Sequence, residues 1–135
     1  MKQRIFVKKI EWLDEETKEA DVTFIIANHE YNAFCHPCHL IENQSNEAEI
    51  SYLCTDDETP IDVFLDKNLQ QDKKIIQDKN DFWSYEAYGQ IKQLKPMVLD
   101  CGDILLEVHD PRLRSLDIKD VFICIPIGRL DIHDV

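Results

Sequence analysis

The chain has 135 residues, 44% of them hydrophobic and 31% charged, with 27 acidic residues against 15 Lys and Arg for a net charge of −12. That size and composition support one domain over residues 1–135 with a real core, and the negative balance argues against nucleic-acid phosphates or an anionic membrane as the main partner. Only three glycines occur, Gly89, Gly102 and Gly128, and their spacing excludes the G-x-G-x-x-G, Walker and G-x-S-x-G loops, with the dinucleotide, P-loop and elbow-type serine hydrolase chemistries that need them.

Residues 1–9 start basic, but Glu11, Asp14, Glu15 and Glu16 follow before any apolar run suited to a signal peptide. No segment reaches the ~18 apolar residues of a membrane-spanning helix. The five cysteines lack disulfide-scaffold spacing, so reduced thiols and a soluble cytoplasmic protein with no membrane partner are expected.

Period-two alternation dominates the chain. Residues 4–13 and 20–27 predict a first hairpin across a turn at 14–18, with Val22, Phe24 and Ile26 on one parity. A turn at Asn28, His29 and Glu30 leads into a strand over 31–35. Ala48, Ile50, Tyr52 and Cys54 then alternate with Glu49, Ser51, Leu53 and Thr55, a half-buried strand with one wet face. Ile61, Val63 and Leu65 predict one more short strand. Residues 66–80 are polar and put Leu65, Leu69 and Ile76 on one helical face, so a short helix or a loop across one end of the sheet is expected. Alternation returns over 83–92, 98–108 and 121–127.

All three glycines fall inside strand patterns, where glycine marks bulges and bends that curl a sheet. The expected fold is all-β, or β-rich α+β: a small closed or partly closed Greek-key barrel of OB-like type, with one short helix or loop insertion near 66–80. An open sandwich is the alternative.

Cys35-His36-Pro37-Cys38-His39 reads as C-x-x-C-H. Covalent haem uses that spacing but requires export, which the N-terminus does not suggest. Structural zinc takes four N or S ligands, and a set of Cys35, Cys38, His39 and His29 is conceivable across the hairpin. In the plainer reading Phe34 and Cys38 plug the core, while Cys35, His36 and His39 are loop residues. A cysteine nucleophile would draw on Cys101, His109 and Asp110, but eight residues of extended strand separate the first two by roughly 26 Å. Asp100 and Asp103 lie on opposite parities, so Asp100 is expected to tie down a bulge at Gly102 and Asp103 to be exposed. Trp83 and Tyr85 share a parity and read as core. The few flanking lysines, Lys79, Lys92 and Lys95, do not suit single-stranded nucleic acid.

Charge placement is more telling. From Glu42 to Asp66 there are eight acidic residues (Glu42, Glu47, Glu49, Asp56, Asp57, Glu58, Asp62 and Asp66) and no Lys or Arg. Such a face either keeps a protein soluble or docks a basic partner by complementary fields. The expected function is a non-enzymatic cytoplasmic protein-binding domain. Its docking face comprises Glu47, Glu49, Asp56, Asp57 and Glu58, turned toward a basic protein as in an inhibitor or immunity protein. A zinc-supported module on the Cys35–His39 loop and an enzyme with a cysteine nucleophile are the alternatives.

Overall fold

The computed structural model describes residues 1–54 and 58–135. In chain order the elements are β1 (Lys2–Asp14), β2 (Glu19–Ile26), β3 (His29–Cys35), β4 (Gln44–Leu53), α1 (Ile61–Asp66), β5 (Lys74–Gln77), β6 (Tyr85–Leu94), β7 (Met97–Asp100), β8 (Leu105–Glu107), α2 (Pro111–Arg114), β9 (Phe122–Ile127) and β10 (Arg129–Asp134). Five of them close a barrel in the order β1-β2-β3-β10-β4. The last strand enters between the third and fourth, antiparallel to β4 and parallel to β3, where the ladder contracts to Asp131 opposite Phe34. This is an OB-like Greek-key barrel. Alternation fills its interior: Ile5, Val7, Val22, Phe24, Ala33, Ile50, Leu130 and Ile132 are all buried.

Between β4 and β10 the chain makes a second sheet, β5-β6-β7-β8, with β9 on the other side of β6. The side chains of both sheets merge into one hydrophobic core. Gly89 on β6 lets β7 approach: a Cβ there would lie 2.5 Å from the carbonyl oxygen of Asp100. At Gly128 the chain leaves β9 and enters the barrel, its amide donating to the Leu53 carbonyl at 2.9 Å. Asn68, buried after α1, donates to the carbonyls of Ile123 at 3.0 Å and Asp72 at 2.9 Å and accepts from the Asp72 amide at 2.8 Å. It thereby fastens the connection to the sheet edge. No helix among the described residues is long and apolar enough to cross a membrane.

Three local expectations are corrected. Ile61, Val63 and Leu65 lie in a helix, not a strand. Pro60, at φ −58°, precedes its first turn, and Phe64 is buried with Ile61 and Leu65 against the core while Val63 faces outward. Alternation at 61, 63 and 65 also satisfies the i, i+4 spacing of a helical face. The expected insertion over 66–80 is accordingly shifted, with the helix ahead of it and strand β5 inside it. The run 98–108 is a hairpin, not one strand: Gly102 at φ +87° turns the chain, and the Asp100 carboxylate accepts from its amide at 2.9 Å. That contact is the one expected of Asp100, serving a turn instead of a bulge.

Candidate functional site

The first hairpin is longer than the barrel needs. β1 pairs with β4 only from Lys2 to Val7, so beyond that point its ladder is with β2 alone. The Glu42 carboxylate accepts from the Ile10 amide at 2.7 Å, covering one bond of the exposed edge. At the tip, Trp12 is 40% and Leu13 50% exposed, ringed by Glu11, Asp14, Glu15 and Glu16, all exposed. The Asp14 carboxylate accepts from the amides of Glu16 and Thr17 and forms the turn. Lys18 lies over the Trp12 ring at 5.4 Å. Among the described residues neither Glu15 nor Glu16 forms an ion pair. Sequence reading missed this tip because Trp12 continues an alternating strand and looks like core. The signal available was the cluster of acids directly beside it.

The expected acidic face is divided. Glu47 and Glu49 point outward from β4, but their cross-strand partners on β1 are Arg4 and Lys2. Glu49 also accepts from the amino group of Met1 at 2.6 Å. Glu58 is exposed, and Asp56 and Asp57 lie outside the described residues.

The outer wall of β2, β3 and β10, the face OB barrels use for oligomeric ligands, is partly covered by the inserted segment. Trp83 donates from Nε1 to Asp21 at 2.6 Å and stands edge-on to Phe34 at 5.7 Å. Arg129 stacks on Phe34 at 4.4 Å while its guanidinium binds Asp131. Trp83 is therefore half-buried against the barrel wall, whereas Tyr85 is buried as expected.

The proposed zinc ligands do not assemble. His29 opens β3 and Cys35 closes it, so six extended residues, roughly 20 Å, separate them. His29 Nδ1 instead meets Asp103 Oδ2 at 2.5 Å, and the Tyr31 hydroxyl donates to the same oxygen at 2.6 Å. Cys35 and Cys38 are buried, while His36 and His39 are exposed. Among the described residues no group of three or more His, Cys, Asp or Glu is placed to hold a metal ion. Asp103 thus differs from its expected exposed role. Burial raises its carboxyl, but the bonds from Tyr31 and His29 outweigh that and hold it below the usual carboxylate range. These residues border an open cleft of about 300 Å³ with Lys73, Lys74 and Cys101.

Cys101 is buried, and burial pushes its thiol up, the reverse of what a nucleophile needs. His109 and Asp110 share a cleft of about 540 Å³ with Cys54 instead. Asp110 there is engaged by Arg112 at 2.8 Å, and Arg112 also donates to the Thr59 carbonyl at 2.7 Å and lies over Phe64.

No family model, curated protein or solved structure matches the chain.

Proposed function

We propose that the chain is a non-enzymatic protein-binding domain that docks a basic protein through the acidic tip of its first hairpin. The exposed Trp12–Leu13 pair within Glu11, Asp14, Glu15 and Glu16 carries this reading. An aromatic anchor inside a charged rim is the composition of an interface hot spot, where desolvating the ring supplies affinity and the rim sets partner choice. The net charge of −12 directs that choice toward a basic protein. Glu47 and Glu49 form a second, weaker anionic strip, since Lys2, Arg4 and the Met1 amine lie beside them. Covering of the β2–β3 wall by Trp83, with Asp21 and Asp131 on the same wall, favours a protein over a phosphate-bearing ligand.

The test captures partners by cross-linking to the full chain at low salt and then measures their affinity for purified variants. A basic partner whose binding weakens with salt is expected. Trp12→Ala and the double variant Glu15→Lys with Glu16→Lys should each lower affinity by about tenfold or more, and Glu47→Lys with Glu49→Lys by less. Wild-type affinity in both tip variants, or binding indifferent to salt, overturns the reading.

A further inference from the structure

The projecting half of β1 leaves its backbone uncovered on one side. Through Val7 that side of the strand belongs to β4, and the Val7 carbonyl still accepts from the Asn43 amide at 2.7 Å. A register irregularity follows between Val7 and Lys9, after which the Ile10 amide points to the same side and is met by the Glu42 carboxylate at 2.7 Å. Strand backbone repeats every two residues, so the Ile10 carbonyl and the Trp12 amide and carbonyl point there too. No loop or side chain among the described residues bonds to those three groups. The other edge of the hairpin is closed, since β3 follows β2 as far as Cys35 opposite Ala20.

We propose that this open edge takes up an extended segment of the basic partner as an added antiparallel strand, in which apolar residues alternate with basic ones. The inference rests on the docking role assigned above to the hairpin tip and specifies how the partner is held. Strand addition to an exposed edge is an established mode of recognition, in which main-chain bonds give affinity and alternate side chains give choice. A residue opposite Trp12 exchanges two bonds with it: the Trp12 amide donates to its carbonyl, and its own amide donates to the Trp12 carbonyl. The residue two positions further along donates to the Ile10 carbonyl, so three bonds form without displacing Glu42.

Residues paired in this way carry their side chains on one face of the sheet, here the face of Ile10 and Trp12. The edge-bonded residues of the partner are therefore the apolar ones. The intervening residues stand on the opposite face beside Glu11 and are the basic ones. Glu11 is shared there with Lys9 at 2.7 Å, and exposed Asp14, Glu15 and Glu16 at the tip add to the attraction. A second copy of this chain suits the edge less well. Its own β1 would bring these acids together, in molecules of net charge −12 each.

The test keeps the full chain wild type and places the changes in the ligand. The probe is an octapeptide of alternating lysine and valine, acetylated and amidated at its ends, with one analogue N-methylated at the valines and another at the lysines. N-methylation removes an amide donor and leaves charge and side chain in place. The parent peptide and the lysine-methylated analogue should bind within about threefold of each other, and the valine-methylated one at least about tenfold more weakly. Hydrogen exchange at the Trp12 amide should slow by about tenfold or more when the parent peptide saturates the chain. Equal binding by all three peptides, or no binding at millimolar concentration, overturns strand addition. Protection of the Trp12 amide that appears in the chain alone and rises with its concentration assigns the edge to a second copy and overturns it as well. The docking role is judged separately: it falls if the tip variants keep wild-type affinity for the captured partner, and it survives a failure of the peptide series.

Discussion

In the barrel each of the five strands has a hydrogen-bonded neighbour on both sides, whereas in the inserted sheet β5, β8 and β9 each pair with one strand among the described residues. The barrel is held by backbone ladders, which any non-proline residue can make. The insertion is held to it by side chains that reach across to backbone. Gln3 donates to the Leu105 carbonyl and accepts from the Leu105 amide, both at 2.9 Å, and so covers the edge of β8. The Tyr85 hydroxyl accepts from the Asn32 amide at 2.7 Å and donates to the Asn32 carbonyl at 3.1 Å. It does so beyond the single ladder pair, Asp131 opposite Phe34, that joins β3 to β10, so the insertion completes the weakest seam of the barrel. The Leu130 amide donates to the Trp83 carbonyl at 3.0 Å on the same side. The two regions therefore differ in how they tolerate change: core volume governs the barrel, and a few named side chains govern the seam.

The largest test of that contrast removes barrel volume. Phe24→Ala empties the place of a fully buried ring and should cost about 3–5 kcal/mol in urea unfolding. Because one core joins both sheets, the whole chain should unfold together. A Trp12→Phe background leaves Trp83 as the fluorescent reporter of the insertion, and its transition should coincide with far-UV circular dichroism. Two separated transitions would mean that the insertion is an independent unit.

A smaller effect comes from the seam itself. Tyr85→Phe keeps the ring but strips two partners from the Asn32 backbone, which should cost about 1–3 kcal/mol. Hydrogen exchange should speed at Asn32 while β1 and β4 stay protected. Equal loss of protection throughout the barrel would show that the hydroxyl supports more than this seam.

The smallest effect is in acid. Asp103 has its carboxyl lowered from the ordinary 3.8 in the folded chain. A carboxyl depressed on folding contributes stability that is present above its unfolded value and lost as pH falls through its folded value. The stability difference between wild type and Asp103→Asn should thus be full at pH 6 and should fade below about pH 4. A difference that persists undiminished at pH 3 would mean that the bonds to His29 and Tyr31 do not depend on the carboxylate charge.

The candidate site was only partly legible beforehand. Acidic runs are visible in any sequence, and Glu47 and Glu49 do face outward as their parity requires. Their cross-strand neighbours Lys2 and Arg4 are more than forty positions away along the chain and come beside them only through strand register. The exposure of Trp12 likewise depends on where β4 stops pairing with β1, which alternation does not encode. His29 and Asp103 are 74 residues apart, and no local pattern links them.

By itself the amino-acid sequence determined that this chain is built of strands, where most of them run, that its phosphate-binding and hydrolase loops are missing, and that it is strongly acidic. Alternation reports that one face of a segment is buried, and glycine spacing limits what loops can exist; both are local properties. Tertiary structure alone decided that β10, a strand the alternation did not single out, closes the barrel between β3 and β4. It also decided that residues 61–66 form a helix instead of extending, and that two cysteines three positions apart are both buried in the core. Those outcomes rest on which surfaces are left to bury once the other strands have paired, a competition among distant segments that no short window of residues contains.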